Sequence, residues 1–324
     1  MKEKAVIFPC DSELVSFMKY FDYTEYEISG LCVLEDSNVV TENKADIPIL
    51  DMEYVDFGLF DVVILVDETY YAHSFVKDSI ERGKKIINAR QLNAIEIEKL
   101  DAISEEQKLE VPLIFVAGVT PYTEKFHVQL ALRERLLDNG YKVSMIGSKE
   151  YSGIFGFHSF PLFMREPMDN TERILLFRKY VKYIEQQEQP DIIVVGIPGG
   201  IMGVNRKHHF DFGMTAYMVS QAVEPDYVIM NMLYGQDYTK EQLEEINQCC
   251  KYKLNFEIDN FHLSNSFFDP ASLKSEQLVF IKMGNKKYLN RIERLHDFLN
   301  PTDMDKAFEA MITKLSSYNV NQIF

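Results

Sequence analysis

Three features that the sequence lacks narrow the function of this 324-residue chain. No apolar run approaches the ~18 residues that a membrane span requires, and no charged-then-apolar leader opens the chain. Only four cysteines are present, Cys10, Cys32, Cys249 and Cys250, and none belongs to a C-x-x-C pair. A disulfide framework or a zinc ribbon is therefore not indicated, and we expect reduced thiols in a cytoplasmic protein.

Positive charge is also scarce, because 34 lysines and arginines stand against 50 aspartates and glutamates, a net charge of −16. Nucleic acid and anionic membranes are therefore not expected as partners. Residues 1–108 hold 11 basic and 23 acidic residues, whereas residues 109–324 hold 23 and 27. This asymmetry predicts a domain boundary near residue 108 and an acidic first domain that could meet a basic partner surface. Solubility alone is the other explanation of the charge.

Apolar segments of strand length alternate with segments of helical periodicity in both halves of the chain. The runs over residues 62–66, 113–117 and 192–195 are continuously apolar, which is typical of parallel strands covered by helices on both faces. We therefore predict an α/β fold with two tandem doubly wound parallel-sheet domains, Rossmann-like in 1–108 and P-loop-NTPase-like in 109–324. Near the C-terminus, the pattern predicts a strand over 278–283 and a helix over 286–299.

Residues 113–126 have the order of strand, tight loop and helix start that forms a phosphate-binding loop. Such a loop requires glycine before its lysine, so that backbone N–H groups face the anion, and Ser or Thr after it to hold Mg²⁺. Here Glu124 and Phe126 stand at those positions, and only Lys125 is retained. The spacing resembles the loops of dethiobiotin-synthetase-like NTPases. The candidate nucleotide- or anion-binding residues of this loop are Gly118, Thr120, Thr123 and Lys125.

Three interpretations of this loop stay open. It could hydrolyse ATP or GTP, it could have kept its shape and lost its reaction, or it could be a modified anion site. Glu124 would bring a carboxylate close to any bound phosphate, and this repulsion would need compensation by Lys125 or a metal.

A second glycine loop follows the strand over residues 191–195, at the position of a Walker B strand. A hydrolase would end that strand with a carboxylate for Mg²⁺, and this chain has Ile197 and Pro198 there. The next two glycines would let a ligand approach the backbone closely, or serve only as turn residues. A basic cluster follows, but its adjacent histidines would point apart, so we predict no metal site. The candidate anion-binding residues are Gly199, Gly200, Arg206 and Lys207.

An aromatic segment over residues 155–163 lies where related NTPases carry switch residues. Its aromatic density suits a pocket lid or a partner-docking surface, and buried packing is the alternative. The candidate residues are Phe155, Phe157, His158 and Phe160.

Several phrases together resemble one family, the peptide maturation system proteins of clostridial natural-product clusters. They are Phe8-Pro-Cys-Asp-Ser12, Thr120-Pro-Tyr-Thr-Glu-Lys-Phe126, Gly140-Tyr-Lys-Val-Ser144, Phe155-Gly-Phe-His-Ser-Phe-Pro161, Pro190–Met202 and Val219-Ser-Gln-Ala-Val223. The resemblance covers nearly the whole chain. It implies a Cys-rich, bacteriocin-like precursor peptide and a radical SAM maturase as partners. It implies no catalytic residue, and it makes the altered phosphate loop a property of the family.

Two hypotheses follow from the sequence. The first is a non-hydrolytic accessory protein that escorts the precursor peptide or its maturase. The second is an ATP-dependent enzyme, ligase or kinase-like, that acts on the peptide through the Gly118–Lys125 loop with ATP and Mg²⁺ as cofactors. The missing glycine, hydroxyl and carboxylate favour the first hypothesis. Lys125 and the basic cluster favour the second.

Overall fold

The structure is a computed structural model that describes residues 2–21, 25–34, 47–52, 54–104, 107–234, 238–283 and 294–321, the last five of these by their backbone alone. The chain forms two compact units. The first contains Met1–Ala94 and Lys149–Ser159, and the second contains Ile95–Ser148 and Phe160–Phe324. The chain thus leaves the first unit after residue 94 and returns to it for residues 149–159, whereas the sequence suggests one boundary at residue 108.

The first unit is a parallel sheet of five strands in the order β3-β2-β1-β4-β5. Its elements are β1 (Glu3–Cys10), α1 (Ser12–Phe17), β2 (Tyr26–Val33), β3 (Ile49–Leu50), β4 (Val62–Leu65), α2 (Ser74–Glu81) and β5 (Lys85–Asn88). The strand order reverses direction at β1, as in a doubly wound sheet. Its apolar core packs Val6 and Phe8 of β1 against Val63 of β4 and Phe75 of α2.

The second unit is built on parallel strands in the order β14-β11-β10-β6-β9-β7. The strands are β6 (Leu113–Gly118), β7 (Val143–Gly147), β9 (Ile192–Gly196), β10 (Tyr227–Met232), β11 (Asn260–Leu263) and β14 (Leu295–His296), and the short β8 (His158–Ser159) lies in the 149–159 segment. β12 (Ser266–Phe268) and β13 (Phe280–Lys282) form a separate antiparallel pair. The helices are α3 (Lys125–Asp138), α4 (Asn170–Glu188), α5 (Met214–Ala222), α6 (Lys240–Leu254) and α7 (Pro301–Asn321).

Local sequence explains these boundaries. Every residue of β6, β9 and β10 is buried, as expected for strands between two helical layers. Asp169 caps α4 by accepting a hydrogen bond from the Thr171 N–H at 2.8 Å, and Thr239 and Gln242 form a capping box on α6. The predicted α/β fold with parallel sheets is confirmed.

The structure describes only part of the segment for which the two C-terminal elements were predicted. β13 spans Phe280–Lys282, inside the strand predicted over 278–283. Of the helix predicted over 286–299, residues 286–293 lie outside the described residues. In the remainder, Leu295 and His296 form β14 and pair with β11, so this part is a strand and not a helix. Within the part of the chain that the structure describes, none of the helices combines the length and apolar character that a membrane span needs.

Candidate functional site

The loop between β6 and α3 holds Lys125 in a buried position at the start of the helix. The side chain is 7% exposed, and its ammonium donates hydrogen bonds to the carbonyls of Thr120 at 3.1 Å and Gly199 at 2.7 Å. These backbone carbonyls satisfy much of the hydrogen-bonding capacity of the lysine. Lys125 therefore links the two glycine loops that the sequence singled out.

The predicted residues of this loop lie together. A Cβ atom on Gly118 would be 2.3 Å from Thr123 Oγ1 and 3.0 Å from Lys125 Nζ, so only glycine fits at the end of β6. Thr123 Oγ1 donates to the Thr120 carbonyl at 3.2 Å. The four candidates of this loop thus form one tightly packed group.

Glu124 adopts the backbone conformation that usually requires glycine. Its φ and ψ of 59° and 19° are left-handed, and Tyr122 two residues earlier also has a positive φ of 60°. The loop thus keeps a left-handed residue immediately before its lysine, where a phosphate loop has glycine. The backbone shape is retained although the residue has changed.

The Glu124 carboxylate is engaged with the neighbouring β11–β12 connection. Its Oε2 accepts a hydrogen bond from the Asn265 N–H at 2.8 Å and lies 3.6 Å from Nε2 of His262. The side chain is 8% exposed. We expected this carboxylate beside a bound phosphate, and the structure instead gives it protein partners at the end of β11.

His262 is fully buried between Glu124 and the segment after β14. Its Nδ1 accepts a hydrogen bond from the Phe298 N–H at 3.1 Å and lies 3.8 Å from Asp297 Oδ1. An Nδ1 that accepts leaves the proton of a neutral imidazole on Nε2, the atom that faces Glu124. The protonated Nε2 of the buried histidine therefore faces the Glu124 carboxylate.

Sequence reasoning missed these partners of the loop. His262 interrupts the apolar strand β11, and Asn231 interrupts β10. Asn231 is fully buried, its Nδ2 donates to the Ala117 carbonyl at 2.6 Å, and its backbone carbonyl accepts from the Val119 N–H at 3.0 Å. A polar residue inside a buried strand is the sequence signal that could have identified both.

The two positions that would bind Mg²⁺ in a P-loop NTPase offer no ligand atom. Phe126 follows the lysine and is 2% exposed, and β9 ends at Gly196 with Ile197 after it. Among the described residues, no group of three or more His, Cys, Asp or Glu side chains is arranged to hold a metal ion. The residues present therefore do not fit a Mg²⁺–nucleotide complex of the usual kind.

The glycines after β9 serve the packing of one loop against the other. Gly199 has a φ of 76°, and a Cβ atom on Gly200 would lie 2.6 Å from Thr120 Cα. The Ile201 N–H donates to the Gly118 carbonyl at 3.0 Å. Close approach by the protein's own backbone thus explains Gly200, and the turn conformation explains Gly199.

The basic cluster divides into a paired and an unpaired cation. Lys207 Nζ lies 2.6 Å from Glu276 Oε1, and this ammonium holds the pKa of the Glu276 carboxyl below its usual value. Asn205 Oδ1 accepts from the N–H groups of Lys207 and His208, both at 2.8 Å, which closes a turn. Arg206 is exposed and forms no hydrogen bond or ion pair within the described part of the chain.

A left-handed turn follows the basic cluster, and its last two residues belong to a segment, 212–222, that has the apolar spacing of a helix. Phe210, Asp211, Phe212 and Gly213 have positive φ values of 46°, 56°, 52° and 76°, and α5 begins only at Met214. A left-handed conformation is unfavourable by about 1–2 kcal/mol for each residue other than glycine. Strain of this kind persists only where surrounding contacts impose it, and such positions cluster at functional sites.

Those contacts are visible on the inner side of the turn. Lys253 Nζ donates to the carbonyls of Phe212 and Ile201, the latter at 3.1 Å. A Cβ atom on Gly213 would lie 2.3 Å from the Ile201 carbonyl oxygen. On the outer side, the Phe212 ring is 62% exposed and stacks on His209 with 4.5 Å between centroids and 6° between planes.

The aromatic candidates are buried. Phe155 is 0% exposed, Phe157 5% and His158 8%, and His158 Nδ1 lies 2.9 Å from the Asn93 carbonyl oxygen within the first unit. Phe160 belongs to the core of the second unit, where its ring packs on Phe177 at 5.6 Å. These four rings therefore offer no exposed surface to a partner, and packing accounts for their density in the sequence.

In the first unit, the segment 149–159 lies at the carboxyl ends of the strands. Lys149 forms an ion pair with Glu13 at 2.9 Å, and Glu150 forms one with Arg90. Asp11 caps α1 by accepting from the Leu14 N–H at 2.7 Å. The edge at which a doubly wound sheet would bind a ligand is thus partly occupied by the protein's own chain.

The buried thiols are poor nucleophiles. Burial raises the pKa of Cys32 and of Cys250 to about 12. Burial, with added repulsion from Cys32 and Asp11, raises the pKa of Cys10 well above its usual value. These three thiols stay protonated at neutral pH, so their chemistry is that of small apolar side chains.

Comparison with known proteins gives information on the fold and none on the activity. No family model matches the chain, and no curated protein does. The crystal structure of a DUF1611 family protein from Anabaena variabilis is similar, with a TM-score of 0.53 at 10% identity over 85% of this chain and 90% of that one. The chloroplast FtsY of Physcomitrella patens (TM-score 0.31, 14% identity, 58% of each chain) and the murein peptide ligase Mpl of Psychrobacter arcticus (0.29, 11%, 88% of this chain and 59% of that one) are more distant. The first of these supports the α/β architecture of the chain.

Proposed function

We propose that this chain is a non-hydrolytic accessory protein in the maturation of a ribosomally made peptide, and that it escorts the precursor peptide or its radical SAM maturase. The family resemblance of the sequence supplies the peptide and the maturase. The reduced thiols and the partners together support a cytoplasmic location. The non-hydrolytic part depends on one observation, the absence of a ligand atom at both Mg²⁺ positions, Phe126 and the end of β9.

The physical argument concerns charge in the transition state. Phosphoryl transfer relies on Mg²⁺ to bridge the β- and γ-phosphates and to neutralise the charge that develops there. A phenylalanine side chain and a glycine cannot coordinate that ion. Lys125 remains as one cation, and its ammonium is already hydrogen-bonded to the Thr120 and Gly199 carbonyls. The loop therefore supports a structural role better than a hydrolytic one.

The first test is nucleotide titration. Calorimetry with ATP–Mg²⁺ and an assay of phosphate release should show millimolar or no affinity and no turnover for the wild-type chain. The Glu124→Gly/Phe126→Thr double variant serves as a control that restores the loop residues. Tight, Mg²⁺-dependent ATP binding by the wild type with turnover that is lost in Lys125→Ala would overturn the proposal.

The second test is capture of partners. The full chain, immobilised through a tag, should retain the precursor peptide or the radical SAM maturase that the family resemblance implies. An unrelated acidic protein of similar size is the control for charge. The escort role would be refuted if the chain retained neither the peptide, nor the maturase, nor the two together.

A second candidate function is an ATP-dependent enzyme, ligase or kinase-like, acting on the peptide. Two observations favour it: the loop keeps the left-handed residue before Lys125, and the Glu124 carboxylate accepts a hydrogen bond from the Asn265 N–H. The same calorimetry separates the two candidates. Micromolar affinity for ATP, abolished in Lys125→Ala while the variant stays folded, would favour the enzyme.

A further inference from the structure

The turn over residues 206–213 exposes both an aromatic ring and a basic side chain. Phe212 is 62% exposed and stacks on His209, which is exposed as well. Arg206 lies in the same loop and has no carboxylate partner within the described part of the chain, whereas Lys207 is paired with Glu276. An exposed apolar ring and an exposed arginine thus share one short loop, which also carries Asp211.

This loop is held in shape from behind. Lys253 binds the Phe212 carbonyl, Gly213 packs on the Ile201 carbonyl, and Asn205 closes the preceding turn through two backbone N–H groups. The ring of Phe212 is therefore presented to solvent by a fixed backbone. A preorganised aromatic side chain loses little entropy when it binds, which is why such residues dominate the affinity of interfaces.

Charge selects the kind of partner. The chain carries a net charge of −16, whereas Arg206 has no ion-pair partner among the described residues, although the exposed Asp211 lies in the same turn. An arginine of this kind favours a carboxylate on the partner. Arg206 and the already paired Lys207, on a protein of net negative charge, do not suit the polyanionic backbone of a nucleic acid. A peptide segment with an acidic residue next to an apolar one satisfies both features of the loop.

We propose that the turn over residues 206–213 docks such a segment of the precursor peptide. Arg206 pairs with a carboxylate of the peptide, and the face of Phe212, backed by His209, contacts an apolar side chain. This assignment rests on the proposed escort function and adds to it the surface and the chemistry of recognition.

The test measures binding of the fluorescently labelled precursor peptide to the full chain by anisotropy. We expect Phe212→Asn and Arg206→Glu each to weaken binding by about tenfold, as truncation of a central interface residue does. Asparagine tolerates the left-handed backbone, so Phe212→Asn removes the ring without adding strain. Tyr252→Asn, at a tyrosine 82% exposed on α6, is the matched control and should change affinity less than about twofold.

A second arm changes the ligand. A peptide whose Asp and Glu residues are replaced by Asn and Gln should bind the wild-type chain more weakly than the native peptide does. This neutral peptide should bind the Arg206→Glu variant and the wild-type chain with equal affinity. Circular dichroism of each variant checks that the fold is intact.

The outcomes separate this inference from the proposed function. Undiminished peptide binding by both Phe212→Asn and Arg206→Glu would overturn the docking site and leave the escort role standing. No binding of peptide or maturase by the wild type would overturn both. Tighter binding of single-stranded DNA than of peptide, or self-association that Phe212→Asn abolishes, would assign the loop to another partner and reject a peptide site.

Discussion

The Lys125 ammonium and the Gly199 carbonyl are joined by a hydrogen bond of 2.7 Å, so the lysine fastens the loop after β6 to the loop after β9. Its second bond reaches the Thr120 carbonyl in a residue that is 4% exposed. Hydrogen bonds from a charged donor contribute about 1.5–3 kcal/mol each, and burial of the charge offsets part of this. Lys125→Met should therefore lower the free energy of unfolding by about 2 kcal/mol.

Urea denaturation followed by circular dichroism measures this change. Lys251→Met is the control, because that lysine lies on the exposed face of α6 and pairs with Glu257, which follows the helix. Exposed pairs of this kind contribute little to stability, because solvent screens them. Equal stability of the two variants would mean that the Lys125 bridge contributes nothing.

Glu124 provides a comparison between two small substitutions. Both Glu124→Gly and Glu124→Ala remove the carboxylate that accepts from the Asn265 N–H. Only glycine adopts a φ of 59° without steric conflict at Cβ. The glycine variant should be more stable than the alanine variant by about 1 kcal/mol, measured as the difference in their thermal midpoints and unfolding enthalpies. An alanine variant that equals or exceeds it would show that the left-handed backbone is not maintained.

Gly196 lies against the buried amide of Gln129. A Cβ atom there would be 2.1 Å from Gln129 Oε1, the atom that accepts from the Ser148 N–H at 3.0 Å. Gly196→Ala should lower the free energy of unfolding by about 1–3 kcal/mol, since overpacking forces side chains and backbone to shift. In the double variant with Gln129→Ala, the two losses should sum to more than the measured loss. Strict additivity in this cycle would exclude the steric mechanism.

His296 in β14 predicts a pH dependence of stability. Burial lowers its pKa below the usual value, with Asp303 opposing the shift and Lys306 adding to it. The unfolded chain then takes up a proton near pH 6.5 that the native chain resists, so this residue makes stability fall as the pH drops below about 6.5. His296→Gln should flatten the profile of unfolding free energy between pH 7 and pH 5. Parallel profiles for variant and wild type would contradict the assignment.

The sequence was sufficient to predict the parallel sheets, because β6 and β9 are continuously apolar and the helices between strands have clear caps. It was also sufficient to group the candidates of the loop between Gly118 and Lys125, which follow one strand. It could not show that Phe155 and its neighbours are buried, since aromatic density is compatible with a core or a surface. Burial depends on which segments meet in the folded chain.

The left-handed turn over residues 210–213 could not be predicted from the periodicity of apolar residues, for a different reason. Residues 212–222 have the apolar spacing of a helix, whereas residues 210–213 have positive φ values, and Lys253 donates hydrogen bonds to the carbonyls of Phe212 and Ile201. The position of the Glu124 carboxylate was likewise set by residues distant in sequence, Asn265 and His262. Tertiary contacts therefore determined the features that local pattern did not predict.

The return of residues 149–159 to the first unit limits how the protein can be dissected. The polypeptide passes between the units after residues 94, 148 and 159, so no single cut separates them. A fragment that ends at residue 108 would lose Lys149 and Glu150 and leave Glu13 and Arg90 without these counter-charges. Neither unit can therefore be obtained intact by cutting the chain once, and function must be assayed on the whole molecule.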